Sequence, residues 1–177
     1  TYVERTAGAG RSEDGGVELL SGGKLLARTG SSPYGQDHHT AWAMLIADAT
    51  GVALDDIEVV HGDTDEIPQG SITGGSRSVQ LAGAAIWESS ALLVEQAKKI
   101  AADLLEASEE DLSLNTDSGL FHVVGTPSIG VSWRDVAKFA ETGTDGPRLL
   151  HAEEVFDSEG PTFPFGTHVP VIALDVE

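Results

Sequence analysis

The sequence predicts an α+β domain in which a mixed β-sheet packs against two main helices as a two-layer sandwich. Hairpin signals and single strands alternate with two long segments of helical apolar period, which is typical of mixed sheets rather than all-parallel ones. The chain has 177 residues, and 40% of them are hydrophobic. This length and composition fit one domain with its own core, spanning residues 1–177.

The first half of the chain predicts a loop, a hairpin, a helix and a strand. Their ranges are 8–16 for the loop, 17–20 with 24–29 for the hairpin, 36–50 for the helix and 57–60 for the strand. Apolar residues recur through the helix with a period near 3.6 residues. Gly51 follows directly, where a glycine C-cap ends many helices.

The second half predicts the longest helix, a second hairpin, a short helix and two final strands. Their ranges are 76–107, 112–114 with 120–124, 133–141, 149–156 and 167–176. Ser132 stands where the N-cap of the short helix belongs. The connection before the longest helix, residues 61–75, exceeds the usual length, and loops of that size are often functional.

The charge of the chain limits its partners. Ten Lys and Arg face 29 Asp and Glu, which gives a net charge of −19. Such a surface excludes nucleic acid, whose phosphates require a basic face, and no stretch is long enough for membrane insertion. The chain has no cysteine, which excludes disulfides and thiolate metal ligands within it and fits a cytoplasmic protein.

Two loops rich in small residues lead into the two main helices. A helix leaves about four backbone N–H groups unpaired at its N-terminus and adds a partial positive charge, so such loops are typical phosphate sites. The residues that we predict to bind an anion are Gly35, Gln36, Asp37, His38 and Thr40 in the first loop, and Gly74, Gly75, Ser76, Arg77 and Ser78 in the second. Arg77 adds a guanidinium fork. Ordinary helix capping is the alternative interpretation of both loops.

A metal-binding module is a further alternative. Histidines and carboxylates occur in the same two regions, and imidazole with carboxylate suits zinc, manganese or iron. The residues are His38, His39, His61, Asp37, Asp63 and Asp65. Adjacent histidines point to different sides of a helix, however, and Asp63-Thr64-Asp65 is more typical of a self-capped turn. We therefore predict no metal ligand among these residues.

Five short motifs occur in an order that resembles a known family. They are Tyr2–Glu4, Gly35–Thr40, Gly62–Asp65, Thr73–Ser78 and Gly160–Gly166. Together they resemble the molybdenum-binding large subunit of the xanthine dehydrogenase/aldehyde oxidase family, and most closely its bacterial carbon-monoxide dehydrogenase large-chain branch. The resemblance covers nearly the whole chain.

The resemblance implies a molybdopterin cofactor that carries molybdenum, usually as the cytosine dinucleotide in bacteria. It assigns the ten loop residues named above to the pterin, diphosphate and nucleotide of that cofactor. The implied reaction is the hydroxylation of an aldehyde or a heterocyclic carbon, and the electrons leave through iron–sulfur and FAD subunits or domains. The remaining part of the large subunit and a homodimer are further implied partners.

The resemblance also predicts what this chain lacks. The family's catalytic glutamate lies in a Gly-Val-Gly-Glu motif that we expect beyond Glu177, so we predict no catalytic residue in these 177 residues. We expect the chain to be a fragment that is inactive alone and holds no cofactor in isolation. Position 37 is Asp where the family usually has Gly, and a carboxylate there would repel a diphosphate. The alternative is a scaffold domain of the same fold that has lost the cofactor.

Overall fold

The computed structural model describes residues 1–6, 12–67, 69–142 and 147–175. In this part of the chain the strands are β1 (Tyr2–Val3), β2 (Ser12–Leu19), β3 (Leu25–Thr29), β4 (Ile57–His61), β5 (Leu112–Asn115), β6 (Leu120–Val123), β7 (Thr126–Ser132), β8 (His151–Asp157) and β9 (Phe165–Gly166). The helices are α1 (His38–Thr50), α2 (Gly83–Leu105) and α3 (Trp133–Thr142), and a π-helical turn, Ser78–Ala82, leads into α2.

The main sheet has four strands in the order β4-β3-β2-β8. Strand β2 runs antiparallel to both β3 and β8, whereas β3 and β4 run parallel. The parallel pair requires a crossover, and α1 supplies it. The sheet is therefore mixed, and the predicted α+β class is confirmed.

Helices α1 and α2 pack side by side over one face of this sheet. Along β2, buried residues alternate with half-buried ones, whereas β3 is buried at every position except Arg28. The inward apolar side chains of both strands join Trp42 and Ile86 in a single buried cluster. Gly15 lies against α2 so closely that an added Cβ would lie 2.7 Å from the backbone nitrogen of Ile86. Ser89 Oγ donates a hydrogen bond of 2.6 Å to Gly15 O at the same contact. A glycine is therefore required where the helix crosses the strand.

A second sheet, in the order β5-β6-β7, packs beside α3. Phe121 and Trp133 meet edge to face with ring centroids 5.0 Å apart. Trp133 Nε1 donates a 2.8 Å hydrogen bond to Thr50 O, at the end of α1. This bond joins the small sheet to the main body of the domain. The predicted hairpin at 112–124 is confirmed, but the third strand, β7, was not predicted, because its sequence is polar and contains Pro and Gly.

Several predicted elements differ from the structure in their bounds or their existence. Within the predicted loop 8–16, residues 12–16 form the first half of β2, and residues 8–11 lie outside the described residues. The longest helix opens with a π turn at Ser78, two residues after its predicted start. Residues 167–175 form no strand, and Val171 is 91% exposed there. A β-strand needs a hydrogen-bonded neighbour, and the described residues offer none beside this segment.

Candidate functional site

The two small-residue loops meet because the helices that follow them are tied together. Trp42, in the second turn of α1, is fully buried, and its indole Nε1 donates a 3.4 Å hydrogen bond to Ser78 O. Ser78 Oγ in turn donates to Thr73 Oγ1 at 3.1 Å, which closes the second loop on itself. The N-terminal ends of the two predicted helices are therefore neighbours in the fold.

A cavity of about 460 Å³ opens at this junction. Gln36 and His38 line it from the first loop, and residues 73–80 line it from the second. None of these lining residues is a carboxylate, although the chain has 29 Asp and Glu. Gly75 has a φ of +64°, and an added Cβ there would meet no atom within 4 Å. The backbone of the second loop is thus open to an incoming group.

His38 Nδ1 is buried and has no hydrogen-bond partner within the described residues. Its ring lies against Trp42, with centroids 5.1 Å apart. Burial lowers the pKa of His38, and the neighbouring His39 lowers it further. His38 thus leaves one buried polar atom unsatisfied in a residue that lines the cavity.

Arg77, predicted as a guanidinium fork for an anion, is among the residues that line the cavity, and its guanidinium has partners within the protein. Its side chain is fully buried and forms an ion pair, in which Nη1 lies 2.8 Å from Glu13 Oε2. Nη1 also donates to Ile72 O at 2.9 Å, and Nη2 donates to Ser12 O at 2.7 Å. The guanidinium charge is therefore neutralised within the protein, and Arg77 acts by holding the second loop to β2.

Asp37 occupies the N-cap of α1 with a φ of 59°. This is the left-handed conformation, which residues other than glycine rarely adopt. Its Oδ1 accepts a 2.9 Å hydrogen bond from Thr40 Oγ1. Both residues are exposed, and neither they nor Gly35 line the cavity. The predicted residues therefore divide into those that line the cavity and those that flank it on the first loop, which are Gly35, Asp37 and Thr40.

The histidines of the alternative metal site do not converge. The rings of His39 and His61 lie 4.6 Å apart, whereas His38 turns to Trp42. Asp63 Oδ1 accepts the backbone N–H of Asp65 at 2.9 Å, which is the self-capped turn that the sequence predicted. Within residues 1–6, 12–67, 69–142 and 147–175, no group of three or more His, Asp or Glu is placed to hold a metal ion.

A second cavity, of about 300 Å³, has the opposite electrostatic character. It lies over the outward side chains of β2 and β3, where Arg28 forms ion pairs with Glu18 at 2.6 Å and Glu66 at 2.9 Å. Asp14 and Glu153 add two more carboxylates to its wall. An anionic ligand is repelled from this cavity, in contrast to the loop junction, whose lining holds no carboxylate.

Sequence reasoning missed Glu13 and Trp42 as parts of the site. Glu13 was assigned to a loop, and only the extension of β2 puts its side chain on the buried face of the sheet. Trp42 is fully buried, but its bond to Ser78 spans 36 residues, so no local pattern in the sequence indicates it. A strand pattern extended back to Ser12 would have shown a charged residue at an inward position.

An α+β domain that gathers two helix N-termini around a cavity free of carboxylates belongs to the class of domains that bind anionic cofactors. The family model described as "Molybdopterin cofactor-binding domain" matches residues 1–177. The chain belongs to this family. Its predicted relationship to carbon-monoxide and xanthine dehydrogenases is thereby confirmed.

Two relatives of the chain are named as a subunit of a dehydrogenase complex and as the large chain of a dehydrogenase. It is 35% identical over 174 residues to the 6-hydroxypseudooxynicotine dehydrogenase complex subunit gamma of Paenarthrobacter nicotinovorans, covering 96% of this chain and 21% of that protein. It is 34% identical over 164 residues to the carbon monoxide dehydrogenase large chain of Afipia carboxidovorans, covering 91% of this chain and 20% of that protein. The chain thus spans about one fifth of the length of these relatives.

Solved structures agree with the fold. The chain superposes on the Cu,Mo-CO dehydrogenase in its carbon monoxide reduced state with a TM-score of 0.81 and 30% identity, over 92% of this chain and 22% of that one. Quinoline 2-oxidoreductase from Pseudomonas putida 86 gives a TM-score of 0.75 and 26% identity, over 92% and 22% of the two chains.

None of the helices in the described part of the chain combines the length and apolarity needed to cross a bilayer.

Proposed function

We propose that the chain is the cofactor-binding part of a molybdenum hydroxylase subunit and holds the dinucleotide of a molybdopterin cofactor. The carboxylate-free cavity at the junction of the two loops carries this proposal. A diphosphate has to be bound by a chain of net charge −19. Backbone N–H groups at two helix N-termini supply positive potential without a cationic side chain, and Gly75 lets the ligand approach the backbone.

The side chains around the cavity have different roles in the proposed binding of the cofactor. Gln36 adds a neutral amide donor at the cavity, and His38 adds an imidazole whose buried Nδ1 has no hydrogen-bond partner among the described residues. Because burial lowers the pKa of His38, its imidazole is neutral at pH 7 and does not add charge to the site. Gly35, Asp37 and Thr40 flank the cavity on the first loop, where the bond from Thr40 Oγ1 to Asp37 Oδ1 ties the N-cap residue to the first turn of α1. These groups bind and orient the cofactor, and none of them is proposed as catalytic.

The bound cofactor would supply oxygen transfer and two-electron redox chemistry, which no side chain of this cavity can perform. We propose the cytosine dinucleotide form. As the reaction of the whole protein we propose either hydroxylation of an aldehyde or a heterocycle by water, or oxidation of carbon monoxide and water to carbon dioxide, with two electrons passed on in each case. Iron–sulfur and FAD subunits are the proposed electron acceptors, and the cytoplasm is the proposed compartment. The relatives are named as parts of complexes or as large chains, which supports a multi-subunit assembly.

A direct test uses the full-length gene product purified with its partner subunits. Molybdenum is measured by elemental analysis, and the nucleotide is identified by chromatography after acid hydrolysis. We expect molybdenum with one cytidine nucleotide per subunit. Protein that carries neither, after expression in a host that makes the cofactor, supports the scaffold alternative instead. Finding an adenine or guanine nucleotide instead would support the cofactor site and overturn the proposed cytosine form.

A matched pair of variants locates the binding site. Gly75→Asp puts a carboxylate into the cavity, where we expect repulsion to lower nucleotide content at least about tenfold. Gly125→Asp is the control, because Gly125 also has a positive φ, of +84°, and open space around it, but lies in the turn between β6 and β7. Equal loss of nucleotide in both variants would mean that the cavity is not the cofactor site.

A further inference from the structure

Glu13 is a buried carboxylate that the proposed binding scheme does not use. It lies in β2 at an inward position and is 3% exposed. One of its oxygens, Oε2, accepts two hydrogen bonds: from Arg77 Nη1 at 2.8 Å and from Ser31 Oγ at 2.9 Å. Arg77 and Ser31 are themselves fully buried. A single carboxylate oxygen therefore joins two segments that are 46 residues apart in the sequence.

These two segments are the bases of the two cofactor loops. Ser31 begins the stretch that runs through Gln36 into α1. Arg77 ends the second loop and also binds its start, through the bond from Nη1 to Ile72 O at 2.9 Å. The carboxylate of Glu13 thus fixes both ends of the second loop, through Arg77, and the start of the first loop, through Ser31.

The backbones beside this carboxylate leave little room for adjustment. An added Cβ on Gly30 would lie 2.1 Å from Gly70 Cα and 2.9 Å from Glu13 Oε1. The chain entering the first loop and the chain leading into the second therefore pass each other in direct contact, next to Glu13. Two glycines make this crossing possible, because any side chain at either position would overlap the other backbone.

Stability alone does not account for this arrangement. A buried ion pair is weak support for a fold, because desolvation of both charges offsets their attraction. Arg77 Nε is also buried without a hydrogen-bond acceptor among the described residues, which costs further free energy. An apolar pair would stabilise the sheet at least as well, but it would not fix the two loops at a defined separation.

We propose that Glu13 is a positioning residue that sets the separation of the two loops, and hence the width of the cavity that receives the cofactor diphosphate. This inference rests on the proposed function for the identity of the ligand. Its structural part, the coupling of both loops to one carboxylate, stands independently of the ligand. Glu13 acts through Ser31 and Arg77 and is not assigned any contact with the cofactor.

The test uses the full-length protein with its partner subunits and the variant Glu13→Gln. The first readout is hydrogen–deuterium exchange of residues 31–37 and 72–78. We expect exchange to become at least about tenfold faster in both loops, since a hydrogen bond to a charged group is worth a factor of ten or more. The second readout is the rate of nucleotide release from folded protein at low urea, which we expect to rise by a similar factor.

Glu18→Gln is the matched control. Glu18 lies on the same strand and also pairs with an arginine, Arg28 Nη1, at 2.6 Å, but Arg28 belongs to neither loop. We expect this variant to leave exchange in both loops and nucleotide release unchanged. Faster exchange spread evenly over the whole chain in Glu13→Gln, or faster exchange in one loop only, would overturn the positioning role.

Ser31→Ala keeps the inference testable if Glu13→Gln does not fold. It removes the bond to the first loop and leaves the ion pair with Arg77 in place. We expect faster exchange at residues 31–37, unchanged exchange at 72–78 and faster nucleotide release. No change at 31–37 would refute the coupling. Wild-type protein without any dinucleotide would refute the proposed function instead, and the exchange measurements would still decide the coupling.

Discussion

The indole Nε1 of Trp42 donates a buried hydrogen bond of 3.4 Å to the backbone oxygen of Ser78. Trp42 lies in the second turn of α1, and Ser78 begins the π turn that leads into α2. The bond therefore holds together the N-terminal ends of two helices that the sequence separates by a long loop. Both small-residue loops face one cavity as a consequence.

Loss of this bond should weaken the domain. Trp42→Phe removes the N–H donor and part of a fully buried side chain, so we expect the free energy of unfolding to fall by about 2–3 kcal/mol. Urea denaturation of the 177-residue chain, followed by the fluorescence of the remaining tryptophans, measures it. Trp87→Phe is the control, since Trp87 is 46% exposed, and a change within about 0.5 kcal/mol is expected there. Equal losses of stability in the two variants would mean that neither the hydrogen bond nor the burial of Trp42 contributes to the free energy of unfolding as proposed.

Removing the charge of Asp37 should strengthen cofactor retention. Asp37→Asn keeps an oxygen for the bond from Thr40 Oγ1 and still tolerates the left-handed backbone, so only the charge changes. One unit charge near a diphosphate is worth about 1 kcal/mol in water, and we therefore expect about fivefold slower nucleotide release. Asp48→Asn, on an exposed position near the other end of α1, should have no effect. Unchanged release in Asp37→Asn would place the carboxylate beyond electrostatic reach of the ligand.

Gly22 and Gly51 both have positive φ but differ in the space around them, so alanine substitutions at the two positions distinguish the cost of backbone strain from the cost of a steric clash. Gly22 has a φ of +77° and open space around it, so Gly22→Ala should cost only the left-handed penalty of about 1 kcal/mol. Gly51 has a φ of +70°, and an added Cβ would lie 2.5 Å from Thr116 O. We expect Gly51→Ala to cost more than about 3 kcal/mol, because the small sheet must also move. Urea denaturation of both variants checks the ranking, which equal midpoints would contradict.

The cap of α3 should make stability depend on pH. Asp135 Oδ2 accepts hydrogen bonds from Ser132 N at 2.8 Å and Ser132 Oγ at 2.6 Å, and these bonds hold the pKa of Asp135 below its usual range. A carboxyl group with a lowered folded-state pKa stabilises the fold above its unfolded pKa of about 3.9. We expect this contribution to vanish as the pH falls from about 4 through the lowered pKa. The measurement is the urea midpoint of unfolding as a function of pH. Over this window we expect the midpoint to depend less on pH for Asp135→Asn than for wild type. The control Glu141→Gln keeps the cap, so its midpoint should fall over this window as much as that of wild type.

Local chemistry made several features readable from the sequence alone. Gly51 ends α1 in the left-handed conformation, and its N–H bonds to Ala47 O at 2.7 Å, as a glycine C-cap predicts. Ser132 caps α3 as expected, because the capping partner lies three residues away. The two small-residue loops and the two main helices were likewise predicted, since each depends on residues that are close in sequence. The family relationship was predicted from the order of five short motifs, each of which is local.

Features that depend on distant partners were decided only by the tertiary structure. Glu13 and Arg77 are 64 residues apart, and no local pattern in the sequence indicates that they pair. Strand β7 is polar, yet it forms because β6 offers it a hydrogen-bonded edge. Residues 167–175 are rich in strand-forming residues, yet they form no strand without such an edge. Propensity and capping act over a few residues, whereas ion pairs and sheet edges require a partner that the fold alone brings near.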